Sequence, residues 1–170
     1  MLIVISGLPA TGKTTLAAAL ARRIQATHLS VDTVEDALLD AGLEQGWTTG
    51  VAAYEAVRAA AEQNLELGAT VVVDAVNDSD AARQTWRDAA ETTGATVLFV
   101  LLRPPPPADH QARLRARGRK LRLVHEPTWE EVVERAQIYE EWSGDPIELS
   151  AIEPVEALVD QLHRVIELRR

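Results

Sequence analysis

The chain has 170 residues, 46% of them hydrophobic but only 4% aromatic, with no cysteine and a formal net charge of -9 at pH 7. That length suits a single domain over residues 1–170 with a full hydrophobic core, and the missing thiols exclude a disulfide framework and a thiolate metal centre. The acidic balance argues against a broad nucleic-acid or anionic-membrane surface. The N-terminus lacks a basic leader and the apolar run Val97 to Leu102 is far too short to span a bilayer, so a soluble cytoplasmic protein is expected.

In chain order, Leu2 to Ile5 is apolar and mostly β-branched and reads as a buried strand. It leads into Gly7-Leu8-Pro9-Ala10-Thr11-Gly12-Lys13-Thr14-Thr15, which satisfies the phosphate-loop pattern of Gly, four residues, then Gly-Lys-Thr. A helix from Thr14 to Ile24 follows, with Leu16, Leu20 and Ile24 on one side. Gly7 and Gly12 can take backbone angles closed to other residues. Backbone N–H groups then converge on an anion, reinforced by the positive end of the helix. In this reading Lys13 reaches the β- and γ-phosphates of ATP and the Thr14 hydroxyl holds Mg²⁺.

Thr27 to Val31 is a second strand candidate ending at Asp32. A carboxylate there can accept the proton of an attacking hydroxyl, or it can cap the helix expected from Thr33 to Ala41. Gly46 to Gly50 reads as loop, and Val51 to Leu67 as a helix. Thr70 to Asp74 is a clear buried strand, with Asp74 placed to help hold the metal or to cap the next turn. A helix opening at Asp78 or Ser79 runs to about Thr92, and Thr96 to Leu102 is the third strong strand. Pro104 to Pro107 breaks the chain before a helix from about Ala108 to Gly118.

The stretch Arg113 to Arg122 concentrates basic residues in an acidic protein. Arg113 and Arg117, four apart, share a helix face, and Gly118 offers a hinge before Arg119 and Arg122. An arginine-bearing flap over the triphosphate would neutralise charge on the transferred group, with Arg117 nearest the hinge; the alternative is a solvated surface run. Thr128 and Glu131 form a capping box for another helix. Pro146 to Ser150 is a last strand, and Glu153 to Leu168 the closing helix. The four histidines have no metal-ligand spacing and carry no role in this reading. Tyr54, Trp86, Trp129 and Trp142 sit at helical spacings and read as packing residues. The alternation implies an α/β three-layer sandwich, with a parallel sheet of about five strands, helices on both faces and an Arg-rich lid at about 113–127. Ligands of such sheets bind at the carboxyl ends of the strands.

Ser6 to Ala17, Ser30-Val31-Asp32, and Val72-Val73-Asp74-Ala75-Val76-Asn77 with Arg83 together resemble the small P-loop kinases. The resemblance is to the branch holding polynucleotide 5′-kinase domains, gluconate kinase and chloramphenicol phosphotransferase. It implies that Lys13 and Thr14 bind ATP and Mg²⁺, that Asp32 is the base, and that Asn77 and Arg83 lie toward the acceptor. Ala10-Thr11 stands where the family often has Gly-Ser, and two further positions depart from the pattern. Glu35 stands where the polynucleotide branch usually has an arginine, and Val76 replaces a usual threonine. A groove for a polyanion would not welcome Glu35 and Asp36. The resulting expectation is an ATP-dependent kinase for a hydroxyl on a small molecule, with no nucleic acid or membrane as partner. A polynucleotide or nucleoside 5′-kinase and a non-kinase nucleotide-binding switch are the alternatives.

Overall fold

In the computed structural model, which describes residues 1–117 and 121–169, five strands form one sheet in the order β2-β3-β1-β4-β5, every neighbouring pair parallel. The elements are β1 (Leu2–Ser6), α1 (Lys13–Ile24), β2 (Thr27–Ser30), α2 (Val31–Asp40), α3 (Trp47–Glu66) and β3 (Val71–Asp74). They continue with α4 (Asp80–Thr93), β4 (Val97–Arg103), α5 (Pro107–Arg115), α6 (Trp129–Ile138), β5 (Ile147–Ser150) and α7 (Val155–Glu167). Every residue of β1 and β3 is buried, which is why both read as unbroken apolar runs rather than as alternating ones.

The period of two appears instead in which face each residue serves. Ile3 and Ile5 join Val72, Val100 and Leu102 beneath α1 and α7, where Leu16, Leu20, Leu158, Leu162 and Ile166 complete one core. Leu2 and Val4 point the other way and meet Val57, Ala61 and Trp86 of α3 and α4 in a second core. These two cores are the seams of a three-layer sandwich. Each large aliphatic side chain in them contributes roughly 1.5–3 kcal/mol by leaving water. No helix among the described residues is long and apolar enough to cross a membrane.

Three boundaries differ from the sequence expectation. β2 stops at Ser30, and Val31 already opens α2, so Asp32 lies in a helix's first turn rather than at a strand end. Val31 is buried in the core formed with α3, and the acid beside it is favoured by the positive helix terminus. α3 begins at Trp47, taking in the expected loop; Gly50 N–H bonds Gly46 carbonyl (3.1 Å), and the Thr49 hydroxyl donates to Glu44 carbonyl (2.6 Å). α5 starts at Pro107, a residue suited to a first helical position, and ends at Arg115. Arg117 therefore follows the helix, and the hinge expected at Gly118, with Arg119, lies outside the described residues.

A buried polar knot holds the segment after α6 against α4. Asn77, at φ 53°, donates from Nδ2 to Ser6 Oγ (2.8 Å) and accepts at Oδ1 from Trp86 Nε1 (2.8 Å). Arg83 donates from Nε to Asn77 carbonyl (3.1 Å), and from its two terminal nitrogens to the carbonyls of Glu141 (2.7 Å) and Glu140 (2.6 Å). Its guanidinium lies 4.3 Å from the Trp142 ring centroid. Both residues are 0% exposed, so the expectation that Asn77 and Arg83 face the acceptor is corrected. Their polar atoms are committed to the fold, and the rigid guanidinium fork suits three converging carbonyls.

Replacing Arg83 by Met keeps the volume but strips those carbonyls of their donors. A loss of about 3 kcal/mol in urea unfolding is expected, since each buried acceptor left bare costs about 1–3 kcal/mol. An unfolding midpoint equal to that of the parent chain would contradict the bracing role.

Candidate functional site

The turn between β1 and α1 is shaped by one close approach. Gly7 sits at φ 143°, and a Cβ placed on it would stand 2.6 Å from the Leu102 carbonyl oxygen of β4. Only glycine lets the chain leave the sheet there. Gly12, at φ 101°, has nothing within 4 Å of its missing Cβ, so the loop is open above it. Its underside is pinned by Gly7 N–H to Val76 carbonyl (3.2 Å), by the Thr11 hydroxyl and Lys13 Nζ to Leu8 carbonyl (2.9 Å each), and by His110. That histidine, 3% exposed, donates from Nε2 to Pro9 carbonyl (2.7 Å) and meets Trp129 edge-on at 5.4 Å.

The first bond inside α1 runs from Leu16 N–H to Gly12 carbonyl, so the N–H groups of Lys13, Thr14 and Thr15 have no acceptor within the helix. They open at its positive end. Arg113 and Arg117 close over the same spot, lining a 140 Å³ cavity with Ala10, Gly12, Lys13, Thr14 and Thr15. The expected shared helix face is thus relaxed to a shared cavity. Such an arrangement is built to hold an anion.

Beside it stands a cluster of hard oxygen donors. Asp74, 2% exposed at the end of β3, accepts at Oδ2 from the Thr14 hydroxyl (2.7 Å) and, more weakly, from the Ser30 hydroxyl (3.4 Å). Its Oδ1 accepts from His28 Nε2 (2.6 Å). A hydroxyl and a carboxylate side by side fit Mg²⁺, which takes one or two protein oxygens and completes its shell with phosphate and water. His28 then orients that carboxylate, a role the spacing of the histidines had not suggested. The available signal was its place two residues before Ser30 on β2, which puts both side chains on one face of the strand beside Asp74.

Two clefts flank the loop and share Asp32, Glu35, Val76 and Arg135. The first, 370 Å³, includes Pro9, Lys13, Arg117, Val124, His125 and Glu131. The second, 530 Å³, opens between α2, α3 and α4 and is walled by Trp47, Val51, Tyr54, Ser79 and Ala82. Arg117 stands 4.0 Å from Asp32 Oδ2 and 3.1 Å from Glu126 Oε1. Arg135 pairs with Asp78 at 3.1 Å. Burial raises the Tyr54 phenol and pushes Tyr139 up to about 12, so neither acts as a base near neutrality. A larger cavity of 790 Å³ lies behind Gly7 and Leu8, against Leu102, Arg103, Tyr139 and Trp142, and includes none of Lys13, Asp32 or Asp74. Lys13 and Arg117 line the 140 Å³ and 370 Å³ cavities instead, with Asp32 in the larger of the two.

A glycine loop on a helix N-terminus, with a lysine, a hydroxyl and a strand-end acid converging on it, is a P-loop site. The chain belongs to the AAA_33 family of AAA domains. The family match spans residues 2–141. Among solved structures, this AAA_33 domain is similar to a candidate kinase from Chloroflexus aurantiacus, at TM-score 0.75 and 19% identity, over 96% of each chain. It is also similar to a sugar kinase from a Janibacter species, at TM-score 0.74 and 16% identity, over 98% of this chain and 94% of that one. A third is the Mycobacterium tuberculosis APS kinase in complex with AMPPNP and APS, at TM-score 0.72 and 17% identity, over 98% of this chain and 96% of that one. These likenesses establish the fold of the small P-loop kinases. No curated protein matches the chain.

The Thr14–Asp74 pair makes a specific demand. Thr14→Ala and Asp74→Ala should each weaken nucleotide binding by about 10-fold or more when Mg²⁺ is present, and little in its absence. Calorimetric titration with and without Mg²⁺ reads this out. A lower melting temperature with unchanged nucleotide affinity would instead make Asp74 a structural cap.

Proposed function

We propose that this AAA_33 domain is an ATP-dependent kinase that transfers the γ-phosphate of ATP to a hydroxyl group of a small-molecule acceptor. The observation that carries this reading is a single cleft that joins Lys13 of the phosphate loop to Asp32 and Arg117. The loop N–H groups and Lys13 hold the triphosphate, with Arg113 beside it. Mg²⁺, held by Thr14 and Asp74, would neutralise charge on the β- and γ-phosphate oxygens. Asp32 accepts the acceptor's hydroxyl proton as the new O–P bond forms at the γ-phosphorus and the bond to the bridging oxygen breaks, releasing ADP. Arg117, already beside Asp32, meets the negative charge on the transferring group.

The wider cleft favours an uncharged acceptor. Its wall sets apolar and aromatic side chains beside the carboxylates of Asp32, Glu35, Glu55 and Asp78, which oppose an anion, and Trp47 is 84% exposed on it. Arg135 is the one cation among the described residues lining it, and that cation is paired with Asp78. A phosphorylated acceptor needs free cations or N–H groups, whereas an alcohol with an apolar face can stack on Trp47 and turn its hydroxyls toward Asp32 and Glu35. This supports a sugar-like or other neutral hydroxyl compound over a nucleic-acid end.

ADP release measured across neutral polyols, sugars, nucleosides and oligonucleotides tests the reading directly. With an acceptor in hand, Asp32→Asn should keep ATP affinity while turnover falls by ~10²-fold or more. Lys13→Ala should abolish most ATP binding or turnover. Trp47→Ala should raise the acceptor KM with the ATP KM unchanged. Full transfer by Asp32→Asn would remove the base role.

A further inference from the structure

Asp32, Asp36 and Asp40 are spaced four residues apart on α2 and so form one acidic stripe, each a turn from the next. All three meet the segment 113–127. Asp32 faces Arg117 at 4.0 Å, and Asp40 faces the Arg122 guanidinium at 3.5 Å. The middle carboxylate does something different. Asp36 Oδ1 accepts three successive backbone N–H groups, from Arg122 (3.0 Å), Leu123 (2.7 Å) and Val124 (3.0 Å).

Three consecutive N–H groups turned toward one oxygen make an anion nest, and here the anion is a side chain of the facing helix. Charge-assisted bonds to backbone differ from the side-chain pairs on either side of them. Long arginines reach many positions, whereas N–H groups locate the main chain itself. The same bonds, led by Leu123 N–H, hold the Asp36 carboxyl below its ordinary value of 3.8. The latch is therefore intact throughout the neutral range and weakens only as pH falls through that lowered value.

We propose that Asp36 is a positioning residue that latches the lid backbone across the cleft joining Lys13 to Asp32 and thereby sets Arg117 beside Asp32 and the phosphate loop. In its kinetic consequence the proposal rests on the phosphotransfer reading above; the latch itself does not. Two anchors on α2, one turn or ~6 Å apart, fix the lid at both Arg117 and residues 122–124. With the Asp36 anchor removed, Arg117 keeps its partners but loses its fixed approach. Val124 and His125, which roof the cleft beside Lys13 and Asp32, are released with it. The effect on the reaction is then on turnover more than on ATP binding, because Arg117 acts most strongly on charge that develops during transfer.

The test compares the parent chain with Asp36→Ala and Asp36→Asn, first with no nucleotide and no acceptor. Hydrogen exchange at residues 122–124 should be about tenfold faster in Asp36→Ala and intermediate in Asp36→Asn, with α2 and the sheet unchanged. Steady-state kinetics with a confirmed acceptor should then show kcat about tenfold lower in Asp36→Ala, with the ATP KM within about twofold. Equal exchange at 122–124 in all three proteins overturns the latch, and faster exchange with kcat unaltered overturns its role in positioning Arg117. If the parent chain phosphorylates no acceptor while the exchange order holds, the phosphotransfer reading falls and the latch stands.

Discussion

The contact on which the site depends is the one between Gly7 and the Leu102 carbonyl, where a side chain would collide at 2.6 Å. β1 lies at the centre of a parallel sheet covered on both faces, so the chain leaving it must turn between β3 and β4 with no slack. Gly7 N–H answers Val76 carbonyl on one side while its bare Cα passes β4 on the other. The turn so formed delivers Gly12 and the first N–H groups of α1 to open space. Packing density in the sheet thus sets the geometry of an anion cradle that is itself unpacked.

Asn77 extends the same constraint outward. It joins Ser6, at the end of β1, to Trp86 of α4, and through Arg83 to the segment that follows α6. That segment is therefore fastened to the strand that carries the phosphate loop. His110 does the equivalent from α5 by gripping the Pro9 carbonyl. α5 and the segment after α6 are thus tied to the phosphate loop and to β1 through polar bonds.

The sheet, its helices and the phosphate loop were legible because their signals are local: unbroken β-branched runs, a glycine pattern, a capping box at Thr128. Asp32, expected at a strand end, lies instead in the first turn of α2. Ser30-Val31 suits a strand by propensity, and only packing of Val31 against α3 turns it into a helix start. Asn77 and Arg83 illustrate a harder limit. A polar residue after a strand looks the same in sequence whether it faces a ligand or braces a core, and burial, which separates the two, is a property of the whole fold. Asp36 misled in a related way. Read as a charge, it argued against a polyanion; in the fold its oxygen is occupied by main-chain donors of the lid.

The charge balance reconciles an acidic protein with a site for triphosphate. Over distances beyond about 8–10 Å the net charge of -9 is screened at physiological salt, so it weighs on a ligand only where that ligand runs along the surface. Within contact distance the loop N–H groups, Lys13, Arg113 and Arg117 decide, and their pull on a phosphate is strong because the cradle is small and already oriented. A compact triphosphate meets only this near field. An acceptor lying along the wider cleft would also meet Glu35 and Glu55, carboxylates that oppose an added phosphate. For the kinase proposed above, the same arrangement that would admit ATP sets an upper bound on how anionic the second substrate can be.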